Sequence, residues 1–287
     1  MEKLDRLGWA AGLAFESYGV RIGVRVNDAT ILPRLASHFP PGWRALTKPR
    51  VERLYSLVVA SEGATRRGVK GLNLVYGDIN RLARTRQSED AFDAFESDLQ
   101  LYVAEAARRR VFVHAGVVGW RGRAVIIAGR SFTGKTTLVA ELVRAGATYY
   151  SDEYAVLDAR GRVHPFPRPL GVRTTDASDT VTGTTRRQQR VAVESLGGRA
   201  GARPLVPALV VLSEYRAGAR RWRPRTLTAG HGLLALVANT VTIRSRPAEA
   251  FAALQAVATR ARILSGVRGE AKDLAATILR MVEDHQD

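Results

Sequence analysis

The stretch "RAVIIAGRSFTGKTTLVAELVRAGATYYSDEYAVLD", residues 123–158, decides the fold. An apolar run, "AVIIA", leads into "GRSFTGKT", and a helical pattern follows as far as Gly146. Strand, glycine-rich turn and helix in that order form the setting in which G-x-x-x-x-G-K-[ST] holds phosphate. Gly129, Gly134, Lys135 and Thr136 occupy the defining positions. The glycines admit backbone angles that turn successive N–H groups onto phosphate oxygens, and the helix N-terminus adds its positive end. The expected cradle is therefore Gly129, Arg130, Ser131, Phe132, Thr133, Gly134, Lys135, Thr136 and Thr137. Lys135 reaches the β- and γ-phosphates, and the Thr136 hydroxyl is offered to Mg²⁺.

Binding a nucleotide is not yet a function. Motors, switches, transport ATPases and kinases share this loop, and companion residues separate them. The stretch "LSGV" at 264–267 is not an LSGGQ-like signature, because it lies inside a strand pattern and far downstream. No N-K-x-D-like base reader occurs. What does follow is an early acidic pair, Asp152 and Glu153, at the end of the predicted strand "TYYSDE". If that strand lies parallel to the one before the loop, both end at the same sheet edge, beside the phosphates. One carboxylate then completes a Mg²⁺ shell and the other takes a proton from an incoming hydroxyl. A solvated acidic strand end is the plainer reading. His114, in the apolar strand "VFVHAGVVGW", reads equally as a core histidine or as a residue facing back to the loop.

Around this centre, "VFVHAGVVGW" and "AVIIAG" predict a hairpin turning at "RGR". Phe92, Phe95, Leu99, Tyr102, Val103 and Ala106 recur at helical spacing and predict a core-facing helix from Glu89 to Arg110. Upstream, "YGVRIGVRVND", "RLYSLVVAS" and "GLNLVYG" read as strands, with a short helix at "ATILPRLASHF". Downstream, "YAVLDARGRVHPFPR" predicts a second hairpin turning at Arg160-Gly161, and "PALVVLSEY" a buried strand. Helices are expected near 232–239, 247–260 and 270–282, with the strand "RILSGV" between the last two. Residues 174–203, polar and without periodicity, are expected to form a mobile loop. Two domains result: an N-terminal α+β segment, 1–88, and a phosphate-loop domain, 89–287.

The composition, 46% hydrophobic and 25% charged, is that of a globular protein. No apolar run approaches the roughly 20 residues of a membrane span. Acidic residues inside the N-terminus and the absence of cysteine make the cytoplasm the expected compartment. The net charge of +17 admits an acidic partner. Only five of the 44 basic residues are lysine, however, which points to arginine-rich coding. The arginines are scattered rather than interleaved with aromatics, against a nucleic-acid groove. The densest run, "RAGARRWRPR" at 216–225, reads as an exposed turn.

The trio "HAG" at 114–116, "GRSFTGKTTLVAELVRAG" at 129–146 and "SDE" at 151–153 resembles the catalytic domain of the HPr kinase/phosphorylase family. The resemblance is specific over about residues 111–170. It extends more weakly to "LSGVRGEAKDLAATIL", the closing strand and helix, and does not cover the first hundred residues. It implies an α/β phosphate-loop core related to phosphoenolpyruvate carboxykinase, with an N-terminal α+β extension. It implies ATP- and Mg²⁺-dependent phosphorylation of a serine hydroxyl in a protein or peptide, and possible self-assembly. By that likeness Asp152 is the general base, Glu153 and Thr136 contact Mg²⁺, Lys135 serves the phosphates, and His114 supports the base. The family's downstream "RGLGI"-like signature is replaced by "PFPRPLGVRTTD", where Arg168 and Arg173 are candidate phosphate contacts. This departure directs the reading to divergent relatives that act on other acceptors, including a modified-peptide precursor or free serine. The remaining alternative is a nucleotide-dependent regulatory protein without transfer.

Overall fold

A computed structural model describes residues 2–47, 50–60, 71–129, 134–173, 188–219 and 221–283. The chain divides into two compact units, 1–108 and 109–287. The boundary lies beyond the one expected at 88/89, because the helix Ser88–Ala106 clusters with the first unit.

The first unit opens on a short helix α1 (Glu2–Asp5) and a hairpin, β1 (Ala11–Ser17) and β2 (Val20–Val26). A helical turn α2 (Leu32–Ala36) follows, with Pro33 in the first turn, where its missing N–H costs nothing. Strands β3 (Arg44–Ala45), β4 (Arg53–Val58), β5 (Asn73–Gly77) and β6 (Asn80–Thr85) complete a mixed sheet in the order β3-β1-β2-β4-β5-β6. Helix α3 (Ser88–Ala106) buries Phe92, Phe95, Leu99 and Val103, as its periodicity requires, and the Phe95 ring meets Tyr55 edge-on at 5.1 Å. Two polar residues share the stripe, Glu96 and Gln100.

The second unit holds β7 (Val111–Trp120), β8 (Arg123–Ala128), α4 (Lys135–Arg144), β9 (Thr148–Ser151), β10 (Tyr154–Leu157) and β11 (Val163–His164). There follow β12 (Leu170–Arg173), β13 (Gln188–Val191), β14 (Val206–Tyr215), β15 (Arg225–Thr226), α5 (Ala229–Val237), α6 (Pro247–Ala258), β16 (Arg262–Arg268) and α7 (Ala271–Glu283). The main sheet runs β11-β10-β7-β8-β14-β16-β15, with β9 also on β7. Strands β8, β14 and β16 are parallel, and β12 pairs β13 apart from them. Strand β8 is buried on both faces, which is why it reads as an unbroken apolar run. Val125 and Ile127 enter the core with α4 and α7, while Ala124 and Ile126 enter the core with α5 and α6. Full burial of each such aliphatic side chain contributes roughly 1.5–3 kcal/mol.

Two expectations change. Strands β8 and β9 are not neighbours: β7 lies between them, antiparallel to both. The acidic pair, moreover, does not end a strand. β9 and β10 pair in tandem along one edge of β7, and Asp152 and Glu153 form the bend between them. Of the expected mobile loop, 174–187 lies outside the described residues. Residues 188–203 include β13 and a 3₁₀ turn at Val193–Leu196. Among the described residues no helix is long and apolar enough to cross a membrane.

Candidate functional site

The site grows from the end of β8. Helix α4 starts at Lys135, behind Gly134 in the left-handed region at φ 76°. The left-handed backbone favours glycine there, and a Cβ, 2.5 Å from the Arg268 Nη2, would push that guanidinium aside. Lys135 is only 7% exposed, and its Nζ donates to the Gly129 carbonyl at 2.8 Å. Burial pulls its pKa down, opposed by the charges of Glu153 and Asp152. Arg130, Ser131, Phe132 and Thr133 lie outside the described residues. Thr137 sits exposed on the first turn of α4.

β7 carries the second half of the site. Its Ala115 pairs with Ala128 of β8 on one edge, and on the other its N–H donates to the Glu153 carbonyl at 3.1 Å. His114, one residue earlier, therefore stands between the phosphate loop and the acidic bend. Gly116 is needed for a different reason: a Cβ there would meet Val139 of α4 at 2.5 Å. That absence lets α4 lie close over β7, bringing its first turn to Asp152.

The adjacent carboxylates meet different surroundings. Asp152 is 8% exposed; its Oδ1 accepts from the Tyr149 hydroxyl at 3.0 Å and its Oδ2 from the Gly171 N–H at 3.1 Å. The Thr136 hydroxyl is also hydrogen-bonded to it. Burial pushes the Asp152 pKa up, against the bonds from Gly171, Tyr149 and Thr136. Glu153 keeps 41% of its side chain in solvent and faces the His114 Nδ1 at 3.4 Å. Burial, then the neighbouring Asp152 charge, push its pKa up to about 7, with Lys135 pulling the other way. Burial and the Lys135 charge hold His114 down at about 4. At neutral pH the imidazole is therefore uncharged, and the contact is not an ion pair.

Several participants escaped the sequence reading. Arg268, 2% exposed at the end of β16, donates to the Gly134 carbonyl at 2.9 Å, to the Gly269 carbonyl at 2.9 Å and to the Ser213 hydroxyl at 3.3 Å. It braces the turn into α4. Its place at the end of a third parallel strand becomes visible only with the strand order. Tyr149 and the Gly171 N–H, which orient Asp152, left no signal in the sequence. Arg168 is half-buried; burial and neighbouring Arg190 lower its pKa to about 10, and its carbonyl accepts from Tyr149 at 2.8 Å. The Arg173 side chain lies outside the described ones.

The residues present fit a nucleotide and Mg²⁺. Mg²⁺ takes hard oxygen ligands and completes its shell from phosphate and water; a hydroxyl and a carboxylate stand together at Thr136 and Asp152. Among the described residues no three His, Asp or Glu side chains cluster to hold a metal by themselves.

No protein-family profile matches the sequence, and no curated protein does. Among solved structures, the Hpr(Ser) kinase/phosphatase from Coxiella burnetii is similar over 61% of this chain and 95% of its own, at 15% identity and a TM-score of 0.30. A likeness that faint carries no argument, and the functional reading rests on the site.

Proposed function

We propose that this chain is an ATP- and Mg²⁺-dependent kinase that phosphorylates a hydroxyl, a serine in a protein or peptide. The observation that carries this reading is the convergence of Lys135, the Thr136–Asp152 pair and the Glu153–His114 pair at one sheet edge. The nucleotide supplies the transferable phosphoryl group, and the cation offsets the charge on its oxygens. Everything else falls to this chain's own groups. The N-terminus of α4 and the Lys135 ammonium hold the phosphates. Thr136 and Asp152 hold the cation, Asp152 being fixed by Tyr149 and Gly171. Glu153, open to solvent and on the far side of β7 from β8, takes the proton of the incoming hydroxyl. His114, neutral, keeps that carboxylate oriented.

This exchanges the two carboxylate roles implied by the family resemblance. Asp152 is enclosed and bonded to Thr136, which suits a cation ligand. Glu153 is accessible, which a base that meets an acceptor must be.

The test is transfer from γ-labelled ATP to a degenerate serine-centred peptide library and, separately, to free serine. Labelling of peptides that requires Mg²⁺ and is lost in Lys135→Met supports the reading. Labelling of free serine alone moves the acceptor to a small molecule. Transfer undiminished in Lys135→Met overturns the site.

A further inference from the structure

The arginine-rich run 216–225 is a turn only in its first part, where Gly218 stands at φ 79° and the Ala219 N–H donates to the Arg216 carbonyl at 3.2 Å. Residues 221–225 alternate instead: Arg221, Arg223 and Arg225 are exposed, Trp222 and Pro224 half-buried. The inward pair is anchored. Trp222 packs on the core that α4 and α7 share, and a Cβ on Gly266 of β16 would lie 3.1 Å from the Pro224 Cα and 3.3 Å from the Trp222 Nε1. Glycine at 266 thus lets the segment lie close against β16. Three guanidiniums are left on the outer side, about 7 Å apart at two residues per repeat.

Among the described residues none of the three has an acidic partner. Acids at the neighbouring strand ends are engaged elsewhere, Glu214 with Arg216 at 3.9 Å and Glu270 with the Tyr215 hydroxyl at 2.8 Å. A stripe of one sign that the fold leaves unneutralised attracts an anionic partner. Its position ties it to the site. Strand β15 closes the main sheet on β16, with Arg225 opposite Ser265 in antiparallel register. The segment before Arg225 therefore runs along β16 towards Arg268, which braces the turn into α4. Arg225 also lines the cleft that begins at Gly129, the first residue of the phosphate loop.

We propose that Arg221, Arg223 and Arg225 dock an acidic peptide in extended conformation, with Asp or Glu at every second position. Alternate residues of an extended peptide repeat at the spacing of the stripe, and guanidinium meets carboxylate through two parallel hydrogen bonds. That the peptide belongs to the acceptor, flanking its serine, rests on the kinase reading above. A nucleic acid fits less well, because the ring between the arginines is turned into the core and leaves no platform on which bases stack. Pro224, without an N–H, blunts strand addition at this edge, so side chains rather than backbone do the recognising.

Fluorescence anisotropy on the full chain tests this at physiological ionic strength, where charges beyond about 8 Å are screened. The probes are a labelled peptide alternating Glu and Ala, its Gln-for-Glu counterpart, and oligothymidylate. The intact protein should prefer the Glu peptide. The triple variant Arg221→Gln, Arg223→Gln, Arg225→Gln should weaken that peptide by about tenfold, three modest exposed pairs acting together, and keep its Mg²⁺–ATP affinity. The triple variant Arg81→Gln, Arg84→Gln, Arg86→Gln removes the same charge from exposed positions of the first unit and should leave peptide binding unchanged. Equal affinity of the intact protein for the Glu and Gln peptides overturns the inference, whether or not the variants fold. Equal weakening by the two triple variants also overturns it, assigning binding to net charge. Tighter binding of oligothymidylate, lost in the stripe variant, overturns it in favour of a nucleic acid. Stripe-dependent binding of the Glu peptide with no label passing from ATP to a serine placed in it upholds the docking surface and defeats the kinase reading.

Discussion

Each unit of this chain sets a histidine against a glutamate, and the two pairs differ in nearly everything else. In the first, His38 Nδ1 lies 2.6 Å from Glu96 and Gln100 donates to the same carboxylate at 3.1 Å; both members of the pair are buried, at 6% and 4% exposure. In the second, His114 and Glu153 stand 3.4 Å apart with 25% and 41% of their side chains in solvent, beside Lys135 and Asp152. The sealed pair is tight and shielded from water, as a buried polar network must be to persist in a core. The looser pair borders a phosphate-type loop and leaves a carboxylate able to meet something else. Sequence chemistry alone does not separate a sealed pair from an accessible one; burial and the third neighbour do.

The contrast can be broken by mutation. The largest effect is expected at Glu153→Gln: phosphotransfer should fall by roughly 10²–10⁴-fold, the usual contribution of a positioned base, with the melting temperature nearly unchanged. His38→Ala should do the reverse. Leaving a buried polar group without its hydrogen-bond partner costs on the order of 1–3 kcal/mol, read as a lower denaturation midpoint, while transfer per folded molecule stays at the wild-type level. A His38→Ala protein as stable as wild type would dissolve the distinction.

Smaller effects sharpen it. Tyr149→Phe deletes one donor that orients Asp152 and should weaken Mg²⁺ binding by about 10-fold or more, as loss of outer-shell partners does. Asp158 offers a pH test away from both pairs. Burial would raise its pKa, but bonds from His164, Arg162 and the Arg160 N–H outweigh that and hold it at about 2. A carboxyl depressed below its unfolded value of roughly 3.9 stabilises in full above that value and loses the contribution as pH falls through about 2. Thermal melts should therefore show Asp158→Asn less stable than wild type at pH 7, with the gap closing between about pH 4 and pH 2. A gap independent of pH contradicts the ionic role.

Much of this was legible in the sequence wherever the cause is local. The turn at Arg121-Gly122, with both residues at positive φ, follows from "RGR" between two apolar runs. The Phe92–Phe95–Leu99–Val103 stripe fixes the face of α3, and Gly146 at φ 100° ends α4 as expected. The strand β6, "NRLART", escaped because an edge strand with mostly polar residues lacks an alternating signal. The insertion of β7 between β8 and β9 escaped because strand order depends on non-local pairing. That order set the different surroundings of the two carboxylates. A bend between two strands, rather than a strand end, lets Asp152 turn to Thr136 and Glu153 to His114. Glu96 and Gln100 sit at helical spacing with the apolar stripe, yet their burial became visible only with His38 beside them.

The most direct test pairs Asp152→Asn with Glu153→Gln and reads ATP binding with and without Mg²⁺ alongside transfer of label from γ-labelled ATP. Asp152→Asn should lose the Mg²⁺-dependent gain in ATP affinity, whereas Glu153→Gln should keep that gain and lose transfer. Glu153→Gln transferring label at the wild-type rate, with Mg²⁺-dependent binding intact in Asp152→Asn, would contradict the division of labour on which the account stands.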